Sequence, residues 1–151
     1  MRILEGDELV SGAEGIATAV IDGNVVELME LREITATLTI NKTDVRVLGS
    51  RMTKQKATGA SGTGSMTIYY IRSLFGKMLL QYIKTGKLPK FDINITNQDP
   101  GSSTGRQVTK LSGVSLNSYD IAKLNLDGEP LDESVDFTFE DADYLDEFNQ
   151  I

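Results

Sequence analysis

Residues 34–40 read Ile-Thr-Ala-Thr-Leu-Thr-Ile, and the fold class is inferred first from this segment. Apolar residues alternate with threonines along it, which is typical of a β-strand with one buried and one solvated face. The strand could continue through Val45 and Val47 after a break at 41–44. We expect the apolar members to lie in the core, namely Ile34, Ala36, Leu38 and Ile40. The threonines then form a polar face.

Further strands are predicted on both sides of this stretch. Asp22-Gly23 lies between two β-branched runs and indicates a hairpin, because a tight turn needs positive φ. Apolar patterning places the strands at 15–21, 25–29, 34–40, 65–71, 91–95, 107–111, 114–116, 121–126 and 135–139.

One helix is predicted, over residues 73–85. Its apolar residues recur at spacings of three and four, with Ser73 as the N-cap and Gly86 as the stop. About eight strands and one helix without β-α-β alternation predict a mainly β protein, a β-sandwich or open barrel with one flanking α-helix.

The segment 49–64 has no periodicity and is rich in glycine. Its second half resembles a phosphate-binding loop, but the lysine that such a loop needs is missing and a strand follows instead of a helix. We therefore predict a flexible loop at 49–64, and a second one at 99–105.

A length of 151 residues fits one domain with its own core. We predict a single domain over 1–151, with an N-terminal arm at 1–12 and an acidic C-terminal tail at 144–151. Glu5, Asp7 and Glu8 disfavour a secretory signal. No apolar run approaches the ~20 residues that cross a bilayer, so we expect no membrane contact.

Cysteine and histidine are both absent. Their absence removes disulfides, thiolate nucleophiles, the commonest general base and the commonest zinc ligand. Glu140, Asp141 and Asp143 could be imagined as a metal or acid–base site, but their spacing does not match a calcium loop, and acidic surface is the preferred interpretation. We predict no catalytic residue, no cofactor and no metal, and hence no enzyme.

Charge is distributed unevenly. Residues 127–151 hold ten carboxylates and no cation, whereas the other 126 residues hold fifteen cations against twelve carboxylates. Five of the cations lie within residues 42–56, namely Lys42, Arg46, Arg51, Lys54 and Lys56. They could bind nucleic acid, or form a solvated hairpin, or meet the acidic end of another copy. We favour the last, because no aromatic residues are interleaved for stacking on bases and both partners are present in one chain.

Several segments together resemble the tail tube proteins of the XkdM type, from the phage-like element PBSX, shared with myophages and contractile bacteriocins. The resembling segments are 11–15, 21–23, 47–52, 56–59, 62–65, 84–86, Asp99 with Gly105, and Val135-Asp136-Phe137-Thr138-Phe139-Glu140-Asp141. Their order and spacing extend from about Ser11 to Asp143, and the end after Asp143 departs from the pattern.

The resemblance implies a two-sheet β-sandwich with one helix that assembles as stacked hexameric rings around a lumen. It implies homo-oligomers, with sheath, baseplate and tail terminator proteins as partners, and DNA only as passing cargo. The particle would be a virion tail or tailocin, assembled in the bacterial cytoplasm. Inter-ring contacts would come from Arg51, Lys54, Lys56, Gly59, Gly62 and Gly64. The lumen would be lined by Thr35, Thr37, Thr39 and Asn41.

Three alternatives remain open at this point. A type VI secretion-like tube protein would share the fold and differ in its partners. A monomeric ligand-binding β-barrel would instead have a closed apolar cavity, and a carboxylate hydrolase would have converging acidic side chains.

Overall fold

A computed structural model describes residues 15–28, 30–70, 73–98, 105–124, 126–128 and 131–148. These ranges contain eight strands and one helix. In chain order they are β1 (Gly15–Ile21), β2 (Asn24–Glu27), β3 (Leu31–Val45), β4 (Lys54–Tyr69), α1 (Leu74–Thr85), β5 (Phe91–Gln98), β6 (Arg106–Leu116), β7 (Asp132–Phe139) and β8 (Asp141–Asp146). The predicted mainly β fold with one helix is confirmed. Within the described ranges, no helix is long and apolar enough to cross a bilayer.

The strands pair antiparallel in the order β2-β1-β5-β6-β7-β4-β3, and β8 pairs with β6 as well. Along one edge of β6, β8 covers the first half and β7 covers Ser115 and Leu116. Between β7 and β8, the Glu140 N–H donates to the Ser112 carbonyl at 2.9 Å, opposite Gly113 with its φ of 66°. The chain thereby passes from one half of the sheet to the other at a local irregularity.

The core combines side chains from both halves of the sheet and from α1. Its fully buried members include Phe75, Met66, Ile68, Ile93, Leu111, Val114, Val135 and Phe137. β7 shows how the sequence produces this arrangement, because its buried positions alternate with exposed Ser134, Asp136 and Thr138. A period of two residues places one side of a strand in the core and the other in solvent.

α1 closes one side of the core, as predicted. The Phe75 ring centroid lies 6.0 Å from that of Phe91. Gly86 ends the helix with a φ of 76°, and its N–H donates to the Tyr82 carbonyl at 2.8 Å. Ser73 occupies the N-cap position, but its side chain makes no capping hydrogen bond. The Asp22-Gly23 turn also forms as predicted, with φ values of 52° and 81°.

The prediction of a flexible loop at 49–64 is wrong for residues 54–64. They belong to β4, which pairs with β3 from Val45↔Lys54 to Leu31↔Ile68, so only 46–53 connect the two strands. The glycines concealed the strand, since glycine is depleted in strands and contributes no periodicity.

Other boundaries also differ from the prediction. β3 continues through 41–44 to Val45, with a register shift between Asn41 and Lys42 in place of the expected break. Residues 121–124 and 126 are not a strand. Residues 107–111 and 114–116 form one strand, because Gly113 bends β6 without ending it. The predicted tail at 144–151 begins inside β8, where hydrogen bonding to β6 stabilises an acidic segment. The predicted arm at 1–12 and the residues 99–104 of the second loop lie outside the described residues.

Candidate functional site

The outer part of the β3–β4 hairpin protrudes from the sheet. β7 ends at Phe139, opposite Gly62 of β4, so beyond this point β3 and β4 have only each other as described partners. We call residues 38–45 and 54–62, with the connection 46–53, the ribbon. Its ordered strands extend ~25 Å, from the rise of about 3.4 Å per residue in an antiparallel strand. An isolated two-stranded ribbon is marginally stable in water, so this one needs further contacts.

One face of β3 and β4 carries hydroxyl groups, and we call it the hydroxyl face. The predicted lumen residues Thr35, Thr37, Thr39 and Asn41 share it and are exposed. Their partners across the hairpin are Ser65, Thr63, Ser61 and Gly59. The face continues onto β7, where Thr63 pairs with Thr138 and Ser65 with Asp136. The sequence places no Lys or Arg at 33–41, 59–69 or 132–139. Over these residues the face is therefore polar and free of cations, whereas farther out on the ribbon the next pairs are Thr43↔Lys56 and Val45↔Lys54.

The opposite face of the same hairpin is apolar, but most of it lies outside the core. Ile34 packs against the core, whereas Leu38 and Ile40 are 62% and 47% exposed and Ala36 is exposed as well. The expectation that all four lie in the core is wrong for the last three. No described residue covers these three side chains enough to bury them.

Two glycines of β4 accommodate aromatic rings from β7. A Cβ added to Gly64 would lie 2.4 Å from the Phe137 ring and 2.6 Å from the Thr35 carbonyl oxygen. One added to Gly62 would lie 2.4 Å from the Phe139 ring. The rings thus fill the space above the glycines, as in sheets where an aromatic neighbour covers a glycine. This arrangement explains why the segment 59–65 is an extended strand and not an anion-binding loop.

Gly59 differs from these two glycines, since nothing lies within 4 Å of an added Cβ there. The predicted inter-ring residues thus fall into two groups. Gly62 and Gly64 contact rings of their own chain, and Gly59 lies open on the ribbon with the cations.

The cations of the ribbon are exposed and have no ion-pair partner among the described residues. They are Lys42, Arg46, Arg51, Lys54 and Lys56. Hydrogen bonds near them join other groups, such as Gln55 Nε2 to Asp44 Oδ1 at 3.2 Å. Within the described residues, the ribbon therefore presents five cations without an ion-pair partner and one carboxylate, Asp44.

Several carboxylates of the acidic end are already paired. Glu140 accepts from Lys90, and Asp146 accepts from Arg106. Asp132 accepts from Arg32 at 2.7 Å. The Asp141 carboxylate accepts the Ala142 N–H at 2.9 Å. Within the described ranges, no group of three or more acidic side chains could hold a metal ion. These carboxylates therefore form surface ion pairs and hydrogen bonds in or beside β7 and β8.

Two buried carboxylates were missed from the sequence. Glu30 is 2% exposed and Glu133 is 7% exposed. Burial raises the pKa of Glu133 above its ordinary value, and its Oε2 accepts the Asp120 N–H at 3.0 Å. Burial, with Glu133 next in effect, raises the pKa of Tyr119 to about 12. The signal was available, since Glu133 is in phase with buried Val135 and Phe137 along β7.

Comparison with known proteins adds four findings. Residues 2–146 match the family described as “Phage tail tube protein”. The phage-like element PBSX protein XkdM of Bacillus subtilis (strain 168) is 37% identical over 140 residues, which cover 93% of this chain and 92% of that protein. In fold, the chain is similar to one in the cryo-EM structure of the sheath/tube terminator of the extracellular contractile injection system PVC, in the extended state. That match has a TM-score of 0.66 at 10% identity, and covers 94% of this chain and 100% of the other. A chain of the PVC sheath–tube complex gives a TM-score of 0.61 at 11% identity, with coverages of 92% and 93%.

Proposed function

Because this chain belongs to the phage tail tube protein family, as its sequence resemblance predicted, we propose that it polymerises as stacked hexameric rings around a lumen. The product is the inner tube of a contractile phage tail or of a phage-tail-like bacteriocin. The protein works by geometry, and its strands serve contacts between copies instead of a reaction.

The ribbon is the observation that carries this proposal. Among the described strands, β2 and β3 end the sheet, and each leaves one edge without a partner strand. The segment 54–61 of β4 also faces no third strand. Open edges of this length invite pairing with another chain, and closure of a ring removes them. Apolar Leu38 and Ile40 would be covered at the same time, which favours association by burial of apolar surface.

The hydroxyl face is our candidate for the lumen wall, through Thr35, Thr37, Thr39 and Asn41. Cations hold phosphates strongly, whereas neutral hydroxyl groups do not. A wall without Lys or Arg would let DNA or another cargo pass without being bound. Asp136 adds negative charge at the base of the face and acts in the same direction.

The end of the ribbon is our candidate for contact between rings. Arg51, Lys54 and Lys56 lie at or beside the connection 46–53 and have no ion-pair partner among the described residues. A ribbon that projects from its own sheet can reach the adjacent ring. There its cations would meet carboxylates of another copy.

The proposed partners are further copies of this chain, and the sheath, baseplate and terminator proteins of the same particle. The chains similar in fold come from assemblies described as a sheath–tube complex and a sheath/tube terminator. The proposed location is the tail of a virion or tailocin, assembled in the cytoplasm of the bacterial host.

Negative-stain electron microscopy of the concentrated purified chain tests this proposal. We expect hollow tubes, and averaged end views with sixfold symmetry. The control is a variant in which residues 38–62 are replaced by Asn-Gly, which closes the hairpin where β7 ends. This variant should fold but remain dispersed. Single particles of monomer size from both chains at every concentration would contradict the proposal.

A further inference from the structure

The connection at the end of the ribbon carries exposed apolar side chains, which we call the apolar tip: Val47, Leu48 and Met52. Leu48 is fully exposed, and Met52 is 72% exposed. The connection is nevertheless held by its own hydrogen bonds. The Ser50 N–H donates to the Val47 carbonyl at 3.3 Å, and the Met52 N–H donates to Ser50 Oγ at 3.3 Å. A turn with these internal contacts presents apolar groups to solvent, where they are unfavourable unless a partner covers them.

The surroundings of the apolar tip are predominantly basic, although Asp44 lies opposite Gln55. Residues 46–56 contain four cations and no carboxylate. A surface that covers the tip should therefore combine exposed apolar side chains with negative charge.

The segment before β7 offers such a surface. Its exposed apolar residues, which we call the loop patch, are Ile121, Leu124 and Leu126, with exposed fractions of 61%, 91% and 97%. Residues 117–133 contain five carboxylates and one lysine. Glu133 is buried and Asp132 is paired with Arg32, so the remaining three carboxylates against one lysine give the loop patch its acidic surroundings. The loop patch thus combines the exposed apolar side chains and the negative charge that a partner of the apolar tip needs.

Hydrogen bonds and a ring contact hold the segment of the loop patch against the rest of the protein. The Asp120 N–H donates to buried Glu133 at 3.0 Å, and Lys123 Nζ donates to the Asp132 carbonyl. The Tyr119 ring lies 6.2 Å from Phe75 of the core, between centroids. The apolar side chains of the loop patch are therefore exposed on a segment that Tyr119, Asp120 and Lys123 attach to β7 and to the core.

The apolar tip and the loop patch lie at opposite ends of the hairpin. Val45↔Lys54 pair beside the tip, whereas Tyr69↔Asp132 pair at the base, where the loop rejoins the sheet. β3 has fifteen residues, and the fourteen steps between its ends correspond to ~48 Å at about 3.4 Å per residue. Contacts that repeat head to tail require complementary surfaces on opposite ends of one subunit. These two surfaces satisfy that geometry.

Two other exposed apolar groups fit the apolar tip less well. Tyr82 and Ile83 at the end of α1 lie in a segment, 74–90, with four lysines and no carboxylate, which would repel a basic tip. Tyr144 and Leu145 are acidic in their surroundings but lie on β8. Since β7 runs from the base toward the tip and β8 follows it, these two residues lie on the tip side of the base.

We propose that the apolar tip of one copy docks on the loop patch of a second copy in the adjacent ring. The proposal rests on the stacking of rings proposed above and specifies the surface that receives the ribbon. Leu48 fills the space among the leucines of the patch, and Arg46 and Arg51 face its carboxylates.

The absence of cysteine allows a direct test by cross-linking. Two variants, Leu48→Cys and Leu124→Cys, are mixed at the concentration used for assembly and treated with a short bis-maleimide. We expect a covalent dimer from the mixture and none from either variant alone, because the contact joins different surfaces. A chain with both substitutions should give a ladder of multimers. The control mixtures pair Leu48→Cys with Ile83→Cys or with Leu145→Cys, and the dimer band should be lost.

Dimers from Leu48→Cys alone, or with Ile83→Cys or Leu145→Cys in place of Leu124→Cys, would overturn the docking. Electron microscopy of the same samples shows whether tubes form, and so distinguishes failure of the docking proposal from failure of the proposed tube function. Tubes with a cross-link at the wrong position contradict the docking and leave the tube intact. The expected cross-link without tubes supports the docking and contradicts stacked rings. Absence of both overturns both.

Discussion

The body of the protein and its ribbon are built from the same strand pattern but differ in what covers them. In the body, Phe137 and Val135 of β7 are fully buried, because strands of both halves of the sheet and α1 enclose them. On the ribbon, Leu38 and Ile40 alternate with threonines just as regularly, yet both are exposed. The apolar side chains of β7 are thus buried by residues of the same chain, whereas those of the ribbon stay exposed. In the proposed tube, other copies supply the layer that the described residues of this chain do not.

The difference between the body and the ribbon can be tested first by a core substitution, which should have the largest effect on the free energy of unfolding. Phe137→Ala should lower the free energy of unfolding by about 3–5 kcal/mol, since it removes buried ring atoms and leaves a cavity. The measurement is urea denaturation of the monomer, followed by circular dichroism. The matched ribbon variant Leu38→Ala should change this free energy by no more than about 0.5 kcal/mol, as is usual for exposed positions. Equal losses for both variants would abolish the distinction between body and ribbon.

A smaller effect is expected where the two regions meet. Gly64→Ala places a Cβ 2.4 Å from the Phe137 ring and should destabilise the chain by about 1–3 kcal/mol through overpacking. Gly59→Ala, on the ribbon, places its Cβ in open space and should be near neutral. The same denaturation experiment checks both. If Gly59→Ala proved the more damaging, the assignment of Gly64 to the edge of the body would be wrong.

A third prediction concerns pH and again separates buried from exposed side chains. The pKa of Glu133 is raised in the folded protein, so the folded state binds its proton more tightly than the unfolded state does. Its contribution to stability is fully present below the ordinary pKa of 4.5 and is lost as the pH rises through the folded pKa. Glu133→Gln, which cannot ionise, should therefore gain stability relative to wild type as the pH rises from 4.5 toward neutrality.

The measurement for Glu133→Gln is the free energy of unfolding across a pH series. Exposed Glu147→Gln serves as the control and should run parallel to wild type. A difference between Glu133→Gln and wild type that stays constant with pH would contradict the burial of a carboxylate at this position.

The smallest effect on folding is expected from charge reversal on the ribbon. Replacement of Arg51, Lys54 and Lys56 by glutamate should leave the free energy of unfolding within about 0.5 kcal/mol, because these side chains are exposed. It should nevertheless suppress tube growth, since like charges would then meet between rings. Electron microscopy of this variant showing tubes of normal length would remove the proposed role of these cations.

The sequence predicted those elements whose pattern and local chemistry agree. Residues 34–40, the Asp22-Gly23 turn and the α1 stop at Gly86 could each be placed from period or backbone preference alone. β4 was lost over 54–64, because the partner that explains its glycines is an aromatic pair from β7, remote in sequence. β8 was lost because hydrogen bonding to β6 outweighs the low strand propensity of aspartate.

The candidate site was predictable only in part, for a related physical reason. Alternation placed Thr35, Thr37, Thr39 and Asn41 on one face correctly, since this depends only on the pleat of a strand. It could not reveal that the opposite face leaves the core, because that depends on contacts between elements remote in sequence. Glu133 was overlooked, although its phase with Val135 placed it on the buried side.

The way in which the ribbon is rooted has a mechanical consequence. β4 is bonded to β3 on one edge and, from Gly62 to Tyr69, to β7 on the other, and all three strands run along the same line. A pull along that line loads many backbone hydrogen bonds in parallel, so they must break together in shear. A pull across it would open them one at a time. A particle that is stretched or compressed along its long axis would thus strain each such junction in its stronger direction, provided that the strands lie close to that axis.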